Sequence, residues 1–512
     1  MKKSSFYTFN RVLFISVSLL LGMTFAQAQT FLGSTGDRLW SNADNWLDGL
    51  KPTEQSENVT INSDVLVDED VAIASILDAT TCSLTVQAGK RLSVSANFTW
   101  SHGGDIILED GAQLLYHEGS LNAKILKKIA AYNEDHNLWN LIASPVMEDV
   151  TPSIENGFLT EPETGFSLYA FDEEHQDWIN FKETAFVLKS EFSYLYANAL
   201  DTTLIFEGPI RNVSAPAEIN LSYHATTNIL SGCNMVGNPF PCNAFVDRSY
   251  YILNENSNSL LPVAMSSSTP IAPCAGAIVM TKEEGQVVTL THEAPVSSVN
   301  QGYIEISVAN PDAPDKVLDQ ALLSFNENDE LDKCIIYNDS PIVYFTVGSR
   351  ELGILSIDST DMQPVRFKAL TDGNYRFHFE LKDLNLNYLH LIDNITGANV
   401  DLLTTPNYSF SANHNDYTSR FQLIFDPHYD IEENDLSAGS RTFAYYAGGN
   451  IIINDVETCQ GASLQIADMT GRVIKVCADV ARNVSTDGMA PGVYVLRLKT
   501  QSKVLTQKVM IP

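Results

Sequence analysis

The sequence predicts an all-β protein made of several domains. Short alternating apolar strands separated by turn residues recur along the chain, and long helical periodicity is absent from residues 123–299. At 512 residues the chain is long enough for three or four hydrophobic cores. We therefore expect a short N-terminal parallel β-helix-like repeat, followed by β-sandwiches and a small C-terminal β-sandwich.

Residues 1–28 have the pattern of a secretory signal peptide. Basic residues precede an apolar run over residues 12–25, and Ala26 and Ala28 supply the small-x-small cleavage pattern. Cleavage after Ala28 would leave a mature chain that begins at residue 29. The apolar run is too short to span a membrane comfortably, and no second run of about 18 to 20 apolar residues follows. We expect no transmembrane segment in the mature chain.

The charge balance excludes two classes of partner. The chain has 63 acidic and 31 basic residues, which gives a formal net charge of −32. Such a surface repels nucleic acid backbones and anionic lipid headgroups, so neither is expected to bind. The same surface suits an extracellular chain that binds divalent cations.

An internal repeat predicts the parallel β-helix-like domain at residues 29–122. The segment SLTVQAGKRLSV at 83–94 is echoed by DIILEDGAQLLY at 105–116. Their glycines, Gly89 and Gly111, are 22 residues apart, a spacing typical of one β-helix coil in which glycine turns the same corner each time. An earlier coil would bring the number of coils to three.

Residues 39–61 precede the repeat and are rich in aromatic and turn residues. They resemble the tryptophan-rich caps that open repeat regions in many Bacteroidetes surface proteins. Trp40 and Trp46 are therefore expected to shield the open end of the stack.

Alternating strands and polar turns predict β-sandwich domains at residues 123–300 and 301–425. The turn-rich piece GCNMVGNPFPCNAFVD at 232–247 is expected to be a packed turn between strands. Residues 426–441 are acidic and nearly free of large apolar side chains, which predicts a linker. The last domain is expected at residues 442–512.

The C-terminal segment carries two motifs, LQIADMTGRVI at 464–474 and MAPGVYVLRLK at 489–499, and ends in QKVMIP. Its strands are predicted at 451–453, 464–466, 473–476, 493–498 and 504–511. Motifs, order and position closely resemble the type A C-terminal sorting domain of Bacteroidetes type IX secretion cargo. The residues that carry the resemblance are Gly471, Arg472, Pro491, Gly492, Val493 and Tyr494.

This resemblance implies an immunoglobulin-like β-sandwich that serves as an address. The partner would be the type IX secretion machinery, and the protein would cross the outer membrane to the cell surface or the medium. The remainder of the chain resembles uncharacterised secreted β-rich surface proteins, which imply no activity.

The usual catalytic motifs are absent from the sequence: HExxH, GxSxG, the P-loop and the Rossmann glycine pattern. Cys274 has no local residue that would activate it as a nucleophile with His224 or His292. We predict no catalytic residue. The enzymatic alternative is a secreted carbohydrate-active hydrolase or lyase, with acidic pairs such as Asp172 and Glu174, or Glu283 and Glu284.

One segment suggests a metal, and no other cofactor is expected. In FNENDELDK at 325–333, Asn326, Asn328, Glu330 and Asp332 offer oxygens at alternate positions, which can wrap a Ca²⁺ ion. The segment lacks the turn glycine and the later bidentate glutamate of an EF-hand. The alternative is an acidic hairpin tip.

The seven cysteines are too few and dispersed for a disulfide scaffold. Either Cys233, Cys242 and Cys274, which share one region, or Cys459 and Cys477, near neighbouring strands, could supply a bridge. Buried free thiols are the alternative for each of them.

These observations together predict an exported cell-surface or extracellular protein. We expect it to act in adhesion, as a structural component or by binding a ligand, such as a glycan or a host or matrix protein. The secreted hydrolase or lyase is the competing interpretation.

Overall fold

The computed structural model describes residues 29–132, 139–161, 165–226, 228–254, 257–295, 302–327, 329–336, 340–357, 362–425, 444–447, 449–453, 463–468, 472–478, 483–499 and 504–511. In these residues the regular structure is β-sheet apart from three short 3-10 helices, Ala43–Asn45, Leu47–Gly49 and Ile154–Asn156. The predicted all-β fold class is therefore confirmed. Within the same residues, no helix has the length and apolar character needed to cross a membrane.

The N-terminal strands form a parallel stack. They are β1 (Thr30–Phe31), β2 (Val59–Ile61), β3 (Val65–Val67), β4 (Val71–Ile73), β5 (Ile76–Asp78), β6 (Leu84–Val86), β7 (Arg91–Thr99), β8 (Ile106–Leu108), β9 (Gln113–Glu118) and β10 (Leu121–Ile129). All neighbours within the stack pair in parallel, in the rows β1-β2-β5-β7, β3-β6-β8-β10 and β4-β7-β9.

The register of the stack follows the sequence repeat. Leu84 pairs with Ile106 and Leu92 with Leu114, each across 22 residues. Gly111 lies over its counterpart one coil earlier, because a Cβ on it would come within 3.9 Å of the Gly89 nitrogen. It has a φ of 72°, in the left-handed region that favours glycine.

Aromatic side chains cover the first coil of the stack. The rings of Trp40 and Trp46 are buried and meet edge-to-face at 4.7 Å, and Phe31 packs on Trp46. The Trp46 indole donates a hydrogen bond to the Trp40 carbonyl at 2.8 Å, so its polar atom is satisfied. The backbone nitrogen of Trp40 donates to the Leu66 carbonyl, which attaches this segment to the edge of the stack.

Antiparallel sheets follow the stack. Their strands are β11 (Asn140–Ala143), β12 (Ser167–Asp172), β13 (Asp177–Asn180), β14 (Ser193–Ala197), β15 (Thr202–Ile210), β16 (Ala217–Asn220), β17 (Cys233–Gly237), β18 (Phe245–Val246), β19 (Tyr250–Leu253), β20 (Leu260–Val263), β21 (Gly276–Met280) and β22 (Val287–Thr291). Three sheets have the orders β11-β14-β12-β13, β16-β22-β18 and β17-β21-β19-β20, while β15 extends the stack.

The stack and the antiparallel sheets are continuous. Strand β10 pairs in parallel with β8 and in antiparallel with β15, so the domain boundary expected at residue 122 falls inside a strand. One hydrophobic cluster extends from Phe31 to Cys274. The segment 232–247, predicted as a packed turn, contains strands β17 and β18. The residues between these strands lie against β9, where the Leu114 nitrogen donates to the Pro241 carbonyl at 2.8 Å. The buried Asn238 holds the turn through side-chain bonds to Cys242 and Ile271 carbonyls.

The next region is one eleven-stranded sheet. Its strands are β23 (Tyr303–Asn310), β24 (Ala313–Ser324), β25 (Leu331–Asp332), β26 (Ile342–Val347), β27 (Arg350–Ser356), β28 (Met362–Lys368), β29 (Gly373–Lys382), β30 (His390–Asp393), β31 (Ala398–Asp401), β32 (Asn407–Ala412) and β33 (Phe421–Ile424). The sheet curls over its own core, because Phe377 and Phe421 come from distant strands yet their rings lie 4.8 Å apart.

A buried ion pair lies within this region. Arg420 donates to both oxygens of Asp393, at 2.8 and 2.7 Å, and Tyr408 donates to the same carboxylate at 2.8 Å. Burial opposes the charge of Asp393, but these hydrogen bonds outweigh it and lower the pKa of the carboxyl group. The pair is therefore a satisfied structural contact.

The last strands form two small sheets around a separate core. They are β34 (Ala444–Ala447), β35 (Asn450–Ile453), β36 (Ser463–Asp468), β37 (Val473–Ala478), β38 (Asn483–Ser485), β39 (Gly492–Lys499) and β40 (Val504–Ile511). Their orders are β34-β35-β38 and β37-β36-β39-β40. We call residues 444–511 the tail and residues 29–425 the body. The linker predicted at 426–441 lies outside the described residues.

Candidate functional site

The first tail motif forms the hairpin between β36 and β37. Arg472 directly precedes β37, and its backbone nitrogen donates to an Asp468 carboxylate oxygen at 3.1 Å. The Asp468 nitrogen donates in return to the Arg472 carbonyl, and the two side chains form an ion pair at 3.2 Å. The motif residues Asp468 and Arg472 therefore hold the facing ends of β36 and β37 together. Gly471, predicted as part of the signal, lies outside the described residues.

The second motif begins strand β39. Pro491 precedes it, and Gly492 is its first residue, with a φ of 157°. The Tyr494 ring is buried in the tail core, and its hydroxyl donates to the Ala490 carbonyl at 2.7 Å. Val493 points the other way and is exposed. The motif thus anchors the strand with one side chain and presents the next to solvent.

The outer surface of the β37-β36-β39-β40 sheet is apolar and basic, and we call it the tail face. Val476 and Met510 are 64% and 68% exposed, and Val493 pairs directly with Met510. Exposed apolar side chains gathered on one sheet face mark interaction sites. The other members of the tail face are Val473, Arg497, Lys499 and Lys508.

The tail face was not anticipated from the sequence. The motif suggests Gly471, Arg472, Pro491, Gly492, Val493 and Tyr494, whereas most of the exposed apolar positions lie on neighbouring strands. The alternation of β39 and β40 could have revealed it, because Val493 and Met510 are apolar yet fall at the positions that alternate with the core residues. Ala26 and Ala28, the predicted cleavage residues, lie outside the described residues.

The candidate calcium segment lies where the eleven-stranded sheet meets the preceding sheets. Asp332 binds Arg350 at 2.5 Å and Lys282 at 2.7 Å, and Glu330 also pairs with Arg350. The Asn326 carbonyl accepts a hydrogen bond from Ser356. Asn328 lies outside the described residues. Two of the four proposed oxygen donors are therefore engaged by cationic side chains, and the calcium site stays a prediction.

Asp329, between the candidate ligands, is the buried carboxylate of this segment. It accepts hydrogen bonds from the hydroxyls of Ser266 at 2.7 Å and Ser324 at 2.6 Å. The bond from Ser266 joins the segment to the preceding sheets, and the bond from Ser324 joins it to the end of β24. The sequence prediction chose residues at alternate, even-numbered positions. It therefore missed Asp329, the carboxylate that holds the segment in place.

A polar cleft opens at the same junction, with a volume of about 840 Å³. Tyr223, Asn228 and Lys282 lie on one wall, and Asp332 and Arg350 lie on the other. A cavity of several hundred Å³ has the size of a small-ligand site. Its lining of hydroxyl, amide and charged groups suits a polar ligand.

A carboxylate beneath the first wall fixes the position of that wall. The buried Glu173 accepts hydrogen bonds from the His224 nitrogen at 2.9 Å and from the Gly232 nitrogen at 2.8 Å. The His224 ring nitrogen Nδ1 lies 2.6 Å from the other carboxylate oxygen. The hydrogen bond to Glu173 raises the pKa of His224. The segment that carries Tyr223 is thereby tied to the end of strand β12.

The residues considered for catalysis have structural contacts instead. Cys274 is buried, and burial raises the pKa of its thiol to about 12, which disfavours the reactive thiolate. Asp172 accepts from His175 at 2.7 Å in an exposed turn, and Glu283 accepts from the Gln286 amide at 3.2 Å. Among the described residues, groups of three or more His, Cys, Asp or Glu able to hold a metal are absent.

Comparison with known families defines the class of the protein. Residues 447–512 match the family described as "Secretion system C-terminal sorting domain". The chain is a type IX secretion cargo protein, exported across the outer membrane to the cell surface or the extracellular space.

The family of the protein is shown by a match over most of the body. Residues 30–295, just over half of the chain, match the family described as "Domain of unknown function (DUF8693)", and the chain belongs to this family. The match covers the parallel stack together with the antiparallel sheets as far as β22. It therefore crosses the domain boundary that the sequence suggests at residue 122.

Other comparisons add little. A solved structure titled "Biofilm associated protein - BSP domain" is 8% identical, and the alignment covers 77% of this chain and 63% of that chain. Its TM-score of 0.14 is too low for the likeness to bear on fold or function. No curated protein matches the chain.

Proposed function

We propose that the protein is a non-catalytic surface protein in which the body binds a polar ligand, in adhesion or in the surface matrix, and the tail is its export address. The sorting-domain match of residues 447–512 is the observation that carries this proposal. The same resemblance points to a Bacteroidetes cell as the source.

The tail face is the surface that we propose the secretion machinery reads. It combines exposed apolar side chains with three basic ones, Arg497, Lys499 and Lys508, in a chain of net charge −32. Contacts of this kind give affinity through buried apolar area and orientation through charge. The body needs no such surface for its own fold, because its core residues are packed elsewhere.

The body is proposed to comprise a short β-helix of about three coils merged with the antiparallel sheets. The 22-residue parallel register and the stacked glycines support the β-helix assignment. The shared strand β10 supports treating residues 30–295 as one unit rather than two. A rigid scaffold of this kind suits a protein that presents a binding surface outside the cell.

The polar cleft is the proposed ligand site, and a glycan is the ligand class that fits it best. Sugars present many hydroxyl groups and flat apolar ring faces. Asn228 and Gln286 offer amide donors and acceptors, and Tyr223 offers an aromatic ring for stacking. Lys282 and Arg350, which are paired with Asp332 and Glu330, would offer further N–H donors to sugar hydroxyl groups.

The ionisation of the carboxyl groups favours binding over hydrolysis. A glycosidase needs one carboxylic acid with a raised pKa beside an ionised partner. Glu330 and Asp332, on the cleft wall, are both paired with Arg350. The described carboxyl groups with a raised pKa are Glu305 and Asp319, raised by burial, and neither lines the cleft.

A glycan array with the full exported chain tests this proposal. We expect binding to a subset of glycans, at least tenfold weaker in Tyr223→Ala. Tyr417→Ala is the matched control, because Tyr417 is an exposed tyrosine outside the cleft, and it should bind normally. Failure to bind any glycan would contradict the ligand proposal, and release of shortened glycans would show that the protein is an enzyme.

The calcium prediction needs its own measurement. A thermal melt of the full chain with millimolar calcium chloride, compared with one in chelator, should show stabilisation if oxygens of the 326–332 segment bind the ion. Equal melting temperatures would contradict a calcium site.

A further inference from the structure

Two buried cysteines meet at the junction that forms the cleft. Cys233 is the first residue of β17, and Cys334 follows β25, 101 residues later. Their sulfur atoms lie 3.7 Å apart, and both side chains are buried. The sequence suggested pairs within Cys233, Cys242 and Cys274, or Cys459 with Cys477. Cys459 lies outside the described residues, and among the six described cysteines Cys233 and Cys334 are the pair in contact.

The junction around the two thiols is tightly packed. The hydroxyl of the buried Tyr251 donates to the Asp332 carbonyl at 2.7 Å and accepts from the Cys334 nitrogen at 3.3 Å. Position 353 is a glycine, and a Cβ there would come within 2.0 Å of this hydroxyl oxygen. The approach of the two sulfurs therefore belongs to a fitted interface, and a bond of about 2.05 Å would require them to move closer by about 1.7 Å.

The cellular route of the protein supplies oxidising conditions. A chain that crosses the periplasm and ends outside the cell meets an environment in which disulfides form and persist. A neighbouring thiol and burial also raise the pKa of Cys233, so the folded pair would react slowly. Oxidation would therefore occur while the chain folds and the thiols are still accessible.

We propose that Cys233 and Cys334 form a disulfide in the exported protein, which covalently joins the two walls of the cleft. The oxidant would be a periplasmic molecule that carries a reducible disulfide. One cysteine thiolate attacks the oxidant disulfide and forms a mixed disulfide. The second thiolate then displaces the oxidant, so the protein loses two protons and two electrons and the oxidant gains two thiols.

This disulfide would fix the cleft. The first wall belongs to the sheets around β17 and the second to the strands around β25 and β27, and the bond would lie directly beneath both. Closing a loop of 101 residues restricts the unfolded chain strongly. The inference stands on the geometry of the sulfurs and does not depend on what ligand the cleft binds.

Peptide mapping of the secreted protein under non-reducing conditions tests the proposal. The thiols are first alkylated in denaturant, and the digest should then contain a linked peptide pair with Cys233 and Cys334, which reductant separates. We also expect reductant to lower the melting temperature by about 10 °C. Alkylation of both cysteines in the unreduced sample would overturn the proposal.

Variants separate this bond from other disulfides. The double variant Cys233→Ala with Cys334→Ala should melt at the lower temperature and no longer respond to reductant. Cys242→Ala removes another buried thiol and should keep the full response to reductant. A reductant response that survives in the double variant would assign the stabilisation to another pair. If the double variant does not fold, the peptide map of the unaltered protein still decides.

Discussion

The body and the tail are both built from β-strands but differ in net charge and in where their apolar side chains lie. Residues 442–512 contain seven basic residues (Lys and Arg) and five acidic residues (Asp and Glu). The other 441 residues contain 24 basic and 58 acidic residues. The tail leaves Val476 and Met510 on an open sheet face, while the apolar stripes of the body face large shared cores. The difference in charge sets the tail, which matches a sorting domain, apart from the acidic remainder of the chain.

Removing the tail should have the largest effect on export. A chain truncated after Arg441 keeps the whole body and its cores, because the tail core is separate. We expect the truncated protein to accumulate in the periplasm and to be nearly absent from the surface. Cell fractionation with immunodetection measures this, and normal surface display of the truncated chain would refute the assignment of the tail.

Charges on the tail face should weaken export without unfolding the tail. In the double variant Val476→Glu with Met510→Glu, both side chains point into solvent, so the melting temperature should change little. We expect surface display to fall roughly tenfold, because an interface would have to bury two charges. Met147→Glu alters an exposed apolar residue of the body and serves as the control. Equal loss in both variants would mean that the tail face has no special role.

The buried ion pair should dominate the stability of the eleven-stranded sheet. Arg420→Met leaves the Asp393 carboxylate without its cation, which should cost about 3–5 kcal/mol of the free energy of unfolding. Chemical denaturation measures this. Because the folded-state pKa of Asp393 is lowered, its contribution is present above the unfolded pKa. That contribution should begin to fall as the pH drops below about 4, and it is lost as the pH passes through the lowered folded-state pKa. A stability of the unaltered chain that does not change between pH 5 and pH 3 would contradict this role.

The corner glycines should give a smaller effect. Gly111→Ala places a side chain where φ is 72°, and we expect a loss of about 1 kcal/mol. Gly373→Ala is the matched control, because its φ is not positive and its Cβ would meet open space. Thermal or denaturant unfolding compares the two, and equal losses would argue against strain at the corner.

Local sequence patterns predict individual strands better than they predict the contacts between strands that are distant in the chain. The predicted bounds match β40 and lie within one residue of both ends of β39, because alternation and turn residues are local signals. The prediction at 464–466 covers only half of β36. The short strands β34 and β38 were missed, since three or four residues hardly alternate. The sharing of β10 between two sheets, the cleft and the contact of Cys233 with Cys334 depend on partners far apart in the chain.

The central claim is that the tail carries the export address and the body is the passenger. Its most direct test fuses a signal peptide, a periplasmic reporter protein and residues 442–512, and measures protease accessibility of the reporter on intact cells with and without type IX machinery. We expect the reporter to be exposed at the surface only when both the tail and the machinery are present. A reporter that stays in the periplasm with both present would contradict it.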